Sequence, residues 1–239
     1  MTPKNKIVVF DLDDTLYKEV DFMKSAFMEI AQGIEADDTA DIIAKKMLKW
    51  WKDGNNVFQH LIKTYHLNLT IDSLLSKYRS HFPSLLLDEV TKNLLQMLSE
   101  KAVLGLITDG RSNTQHNKIA ALGLNAFMNQ EDILVSGDRD KENGLNVLKG
   151  NNSWEKPSEL PFKYFMSRYS INYNPSIVNY YYIGDNPSKD FSAPNHLGWA
   201  TICLLDDGRN IHHQDFSLPQ HMLPQYTISR ITEIENIII

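Results

Sequence analysis

A single cysteine, Cys203, leaves the chain without an intrachain disulfide. It sits in the apolar run Ala200–Leu205 and reads as a small buried hydrophobe rather than a reactive thiol. No apolar stretch approaches the length of a membrane-spanning helix. Lys4 and Lys6 precede only the short run Ile7–Phe10, too brief for the apolar region of a secretion signal. No lysine or arginine stripe is present, and the formal net charge is −6, which excludes nucleic acid and anionic membrane as main partners. The eight histidines are scattered, and none stands at a metal-ligand spacing. His212 and His213 form a pair, but in a polar stretch that reads as surface. There is no internal repeat and no low-complexity tract. A reduced, cytoplasmic setting is the expectation.

What remains is a chain of 239 residues with 42% apolar and 23% charged residues, enough to bury a sizeable core without disulfides. Five short apolar runs predict strands: Lys6–Phe10, Ala102–Ile107, Ile133–Ser136, Tyr180–Ile183 and Trp199–Leu205. Most lack polar alternation, as strands covered on both faces do. Helical patterns lie between them. Glu89–Glu100 carries Val90, Leu94, Leu95 and Leu98 on one side, with Asp88 as its N-cap. Ser112–Leu122 stops at Gly123, and Pro161–Tyr169 predicts another helix. Strands alternating with helices imply a parallel, doubly wound α/β sheet.

About 90 residues separate the first two strands, far more than one crossover helix needs. Asp21–Gln32, Thr39–Lys52, Val57–Tyr65 and Ile71–Tyr78 all show helical spacing. Residues 17–87 therefore read as an inserted helical domain, and residues 1–16 with 88–239 as the α/β core. Trp50 and Trp51 read as packing residues of that insert rather than pocket lining. A second irregular stretch, Gly137–Ser153, is polar and rich in glycine and asparagine, and reads as a loop.

In an open parallel sheet, ligands bind beyond the carboxyl ends of the strands. The first strand runs into Asp11-Leu12-Asp13-Asp14-Thr15, the second into Thr108-Asp109-Gly110, and the fourth into Gly184-Asp185, with Asp190 following. Carboxylates crowded at one sheet edge repel unless a cation neutralises them, and an oxygen-only donor set suits Mg²⁺. Asp11, the first residue past its strand, is placed to attack phosphorus. Side chains two apart on an extended segment share a side, so Asp13 can serve as acid and then base at the leaving group. Thr108 offers a hydroxyl, Gly110 and the helix start beyond it offer amides for a phosphoryl oxygen, and Lys156 offers a fixed positive charge.

These residues resemble the haloacid dehalogenase-like hydrolase superfamily. Asp11-Leu12-Asp13-Asp14-Thr15-Leu16 is similar to its first signature, Thr108 after Val103–Ile107 to its second, Lys156-Pro157 to its third, and Gly184-Asp185-Asn186-Pro187-Ser188-Lys189-Asp190 to its fourth. The order agrees, and the likeness spans essentially the whole chain. The resemblance implies a Rossmann-like core with a helical cap inserted after the first signature. It implies Asp11 as nucleophile and metal ligand, and Asp13 as general acid/base and metal ligand through its backbone carbonyl. Asp185 would be a further ligand, and Asp190 would support the metal or Lys156. Thr108 and Lys156 would hold the phosphoryl group, with Asp109 and Gly110 beside the substrate. Asp109 departs from the pattern, where relatives often have asparagine, and Lys149 or Lys141 compete with Lys156 for the third signature. An acid at position 13 goes with phosphatases and phosphotransferases and excludes dehalogenation. The expected activity is Mg²⁺-dependent hydrolysis of a small phosphate ester. Phosphoryl transfer to a second sugar hydroxyl, or a non-catalytic binding role, are the alternatives.

Overall fold

A computed structural model describes residues 5–142, 153–170 and 178–239. The element order is β1 (Lys6–Phe10), α1 (Glu19–Gln32), α2 (Ala40–Lys52), α3 (Val57–Tyr65), α4 (Ile71–Ser80), α5 (Glu89–Lys101), β2 (Val103–Thr108), α6 (Ser112–Ala121), β3 (Ile133–Val135), α7 (Ser136–Glu142), α8 (Leu160–Ser170), β4 (Asn179–Gly184), α9 (Ser192–His196), β5 (Ala200–Leu204), β6 (Tyr226–Ile228) and α10 (Glu235–Ile238).

The strands form one six-stranded sheet in the order β3-β2-β1-β4-β5-β6, and every pair is parallel. The expected doubly wound α/β sheet is the observed fold. Both faces are covered, which accounts for the missing alternation. Val8 and Phe10 of β1 pack with Leu94, Leu95 and Leu98 of α5, Ile119 of α6 and Ile238 of α10. Ile7 and Val9 point the other way, into Phe162 and Phe165 of α8 and Trp199. Cys203 lies fully buried in that second layer, as expected of a small hydrophobe. Chain order reverses at β1, which pairs β2 on one side and β4 on the other. The crevice at that switch point is where such sheets bind ligands.

Four helices, α1–α4, separate β1 from α5 and share a cluster of their own, built on Met23, Phe27, Ile43, Met47 and Leu61. Trp50 and Trp51 pack against this cluster, as the sequence suggests. The segment after α4 is tied back to α1: Ser25 Oγ lies 2.7 Å from His81 Nε2, and the Ser84 amide donates to the same oxygen at 3.0 Å.

Three details differ from the sequence reading. Val90 is 58% exposed and Thr91 is buried instead. Thr91 falls at the centre of the stripe through Leu94, Leu95 and Leu98, and Val90 at its margin. Residues 136–142 are helical rather than loop, with Asp138 favourably placed in the first turn. The rest of that stretch up to residue 152, Lys149 included, lies outside the described residues. The edge strand β6 has two of its three residues exposed, too little apolar pattern to be read as a strand.

Candidate active site

Asp11 leaves the C-terminal end of β1 with its backbone still in the sheet, its amide donating to the Ile183 carbonyl at 2.8 Å. The residue is 2% exposed. Oδ1 lies 2.8 Å from Lys156 Nζ, and among the described residues no side chain or amide donates to Oδ2. Burial pushes the Asp11 carboxyl up to about 6, against the pull of the Lys156 ammonium.

Lys156 enters from the segment before α8, and its side chain is fully buried. Its ammonium meets Asp11 Oδ1 and Asp190 Oδ1, each at 2.8 Å, and donates to the Tyr182 hydroxyl at 2.9 Å. Burial would lower its affinity for the proton, but the two carboxylates hold it well above the usual lysine range. Asp109 braces the same residue through the backbone, its Oδ1 accepting from the Lys156 amide at 3.2 Å.

Asp190 is fully buried and fully engaged. Oδ1 takes Lys156, and Oδ2 accepts from the amides of Asp185 and Asn186 at 3.1 and 2.8 Å. A Cβ on Gly184 would come within 2.6 Å of Asp190 Oδ2, so this approach requires glycine at the end of β4. Burial alone would raise Asp190, but Lys156, Lys189 and the amides hold it below the ordinary carboxylate range. Asp185 has less support: its Oδ2 accepts from Asn210 Nδ2 at 3.0 Å. Burial, with Asp190 and Asp11 beside it, pushes its carboxyl up to about 9.

Carboxylate oxygens of Asp11, Asp185 and Asp190 lie within 4.8 Å of one another. Three buried acids from two strand ends, with only Lys156 bridging two of them, form an all-oxygen set that fits a hard divalent cation. Such an ion would remove the repulsion that now keeps Asp185 reluctant to ionise. Asp190 has its lone pairs committed to protein donors, so Asp11 and Asp185 are the better-placed carboxylates for it.

Asp13 turns toward α6. Its Oδ1 meets Lys118 Nζ at 2.8 Å and the Tyr17 hydroxyl, and its Oδ2 accepts from Gln115 Nε2 at 2.9 Å. Burial would raise this carboxyl, but Lys118, Tyr17 and Gln115 keep it below the usual range. Gln115 Nε2 also donates to Thr108 Oγ1 at 2.6 Å, joining the ends of β1 and β2. Gly110 adopts φ +139°, and its amide donates to Ser136 Oγ at 3.0 Å. That bond occupies the Gly110 amide expected to face a phosphoryl oxygen.

Asp14, at φ 57°, is a tether. Its two oxygens accept from the amides of Glu19 and Ile211 at 2.9 Å each, fixing the start of α1 and the loop after β5. A cavity of about 170 Å³ opens between these parts, lined by Asp11, Asp13, Glu19, Asp109, Asp185 and Lys189 among others. His212, though exposed as expected, stands on its rim.

Sequence reasoning found the strand-end residues and missed those that brace them: Tyr182, Gln115, Lys118, Asp14 and Asn210. Only Asp14 carried a signal, as a carboxylate inside the first acidic motif. Gln115 and Lys118 stand three apart on a helix, a spacing that shows a shared face but not which way it points.

An all-parallel, doubly wound sheet with a lysine-bridged acid cluster at its switch point defines a Rossmann-like core with a polar site where chain order reverses. The chain belongs to the haloacid dehalogenase-like hydrolases, whose family model matches residues 8–204. It is 27% identical over 259 aligned positions to the glyceraldehyde 3-phosphate phosphatase of Methanocaldococcus jannaschii, covering 98% of this chain and 96% of that protein. Among solved structures, its fold is similar to the magnesium-bound HAD-hydrolase YfnB of Bacillus subtilis, with a TM-score of 0.62, 21% identity and 99% of each chain covered. A HAD phosphatase of Thermococcus onnurineus matches with a TM-score of 0.52, 19% identity and 97% of each chain covered. Among the described residues, no helix is long and apolar enough to cross a membrane.

Proposed function

We propose that this chain is a Mg²⁺-dependent phosphomonoesterase that hydrolyses a small phosphate ester, in the cytoplasm, through an aspartyl-phosphate on Asp11. One observation carries the reading: Asp11 stands at the end of the central strand with Oδ1 held by a buried lysine and its side chain lining the acidic cavity.

Asp11 and Asp185 would hold the Mg²⁺ with the Asp13 backbone carbonyl, and the ion supplies the charge that lets a phosphoryl dianion approach carboxylates. Asp11 Oδ2 attacks phosphorus, and the bond to the leaving oxygen breaks. Asp13 in its protonated form gives its proton to that oxygen and becomes the carboxylate. In the second half it takes one from the water that attacks phosphorus, and phosphate and the free Asp11 carboxylate are released. Lys156 holds Asp11 at the attack angle and offsets charge on the phosphoryl oxygens. Gln115 fills an acceptor position on Thr108 Oγ1, which leaves the hydroxyl proton for a phosphoryl oxygen. The bonds to Lys156 and two amides support a positioning role for Asp190, one of the two roles the resemblance implies.

The same reading makes residues 17–87 a helical cap over a core of residues 1–16 and 88–239. The compact cavity and the glyceraldehyde 3-phosphate phosphatase likeness both favour a short-chain phosphate ester. The protein should release phosphate from p-nitrophenyl phosphate and small sugar phosphates in Mg²⁺ and stop in EDTA. Asp11→Asn should lower kcat by at least about a thousandfold, as loss of a nucleophile does. Wild-type turnover in Asp11→Asn contradicts the assignment.

A further inference from the structure

Asp13 is gripped at both oxygens by one face of α6. Gln115 and Lys118, three residues apart, reach it from the same side, one to each oxygen. A carboxylate bonded at both oxygens cannot spin about its final torsion, so α6, together with the Tyr17 hydroxyl on Oδ1, sets its orientation.

The lysine needs explaining. Its side chain is 3% exposed, and its ammonium lies 2.8 Å from Asp13, 3.6 Å from Glu19 Oε1 and 4.7 Å from the centre of the Phe22 ring. Burying an ammonium is costly, and an aliphatic residue would pack that face of α6 without the cost. Lys118 does not line the acidic cavity, whereas Asp13 and Glu19 do. It meets the cavity through the two acids it contacts, and Asp13 is the nearer.

We propose that Lys118 is the positioning residue for Asp13, fixing from α6 the orientation in which that carboxyl serves the leaving-group oxygen. Gln115 completes the grip and carries it to Thr108, so proton transfer and phosphoryl binding share one helix face. This rests on the phosphatase reading above.

The test separates positioning from mere stability by the leaving group. Expulsion of p-nitrophenolate needs no proton, while expulsion of a glycerol alkoxide does. An effect through Asp13 must therefore fall on the second alone. Lys118→Met should lower kcat/KM for glycerol phosphate by about tenfold or more, a fraction of what general acid catalysis contributes. It should change kcat/KM for p-nitrophenyl phosphate by less than about twofold. Asp13→Asn should lower kcat/KM for glycerol phosphate at least as much. Binding of beryllium fluoride with Mg²⁺, followed by fluorine NMR, should match wild type and so report an intact phosphoryl site.

If the unbalanced pair of Asp13 and Glu19 prevents folding, Lys118→Met with Glu19→Gln restores the net charge, and the same selectivity is expected against Glu19→Gln alone. Equal losses on both substrates, or none on either, overturn the proposal while leaving the phosphatase reading intact. A wild-type protein inert toward both substrates overturns that reading instead.

Discussion

Lys156 shows what one buried side chain does in this site. It is the only cation in direct contact with Asp11 and Asp190 among the described residues, and its own side chain has no exposure. Replacing it leaves two buried carboxylates without their shared cation. Breaking a buried pair from one side costs about 3–5 kcal/mol. Lys156→Met should lose about that much stability in urea denaturation and should lose most phosphate release. Unchanged stability would show that Asp11 and Asp190 are solvated. Asp11, Asp185 and Lys156 were legible in the sequence because each follows an apolar run or precedes a proline. Gln115 and Lys118 were not legible. Polar residues on a helix read as solvent-facing until the fold turns that face toward a carboxylate.

At the scale of the element, the sequence marks ends and periods better than it marks edges. Asp88 was readable as an N-cap, and its Oδ1 accepts from the Thr91 amide at 2.8 Å. Asp88→Ala should therefore cost about 1 kcal/mol of stability. It should leave kcat unchanged, since α5 meets the sheet on the face formed by Val8 and Phe10, away from the acid cluster. A kcat loss beyond about threefold would show that α5 helps set the site. The central strands were legible because burial on both faces makes them continuous apolar runs. Strand β6 carries no such run, being half solvated at the sheet edge. Helix α7 was hidden by polar residues that suit a helix and a loop equally. Its Ser136 then proved to be the partner of the Gly110 amide.

Across the whole molecule, the sheet gathers residues far apart in the chain. Chain reversal at β1 brings the ends of β1 and β4 side by side, so Asp11 meets Asp185, Asp190 and Lys156 in one crevice. The acid excess at that crevice suits a divalent cation and a dianionic group arriving together. The most direct measurement is to quench the protein in acid during turnover, reduce the acyl phosphate with borohydride, and locate the modified residue by peptide mass spectrometry. The account predicts that the label falls on Asp11 in wild type and is lost in Asp11→Asn. A label on any other residue, or turnover with no trappable acyl phosphate, would contradict it.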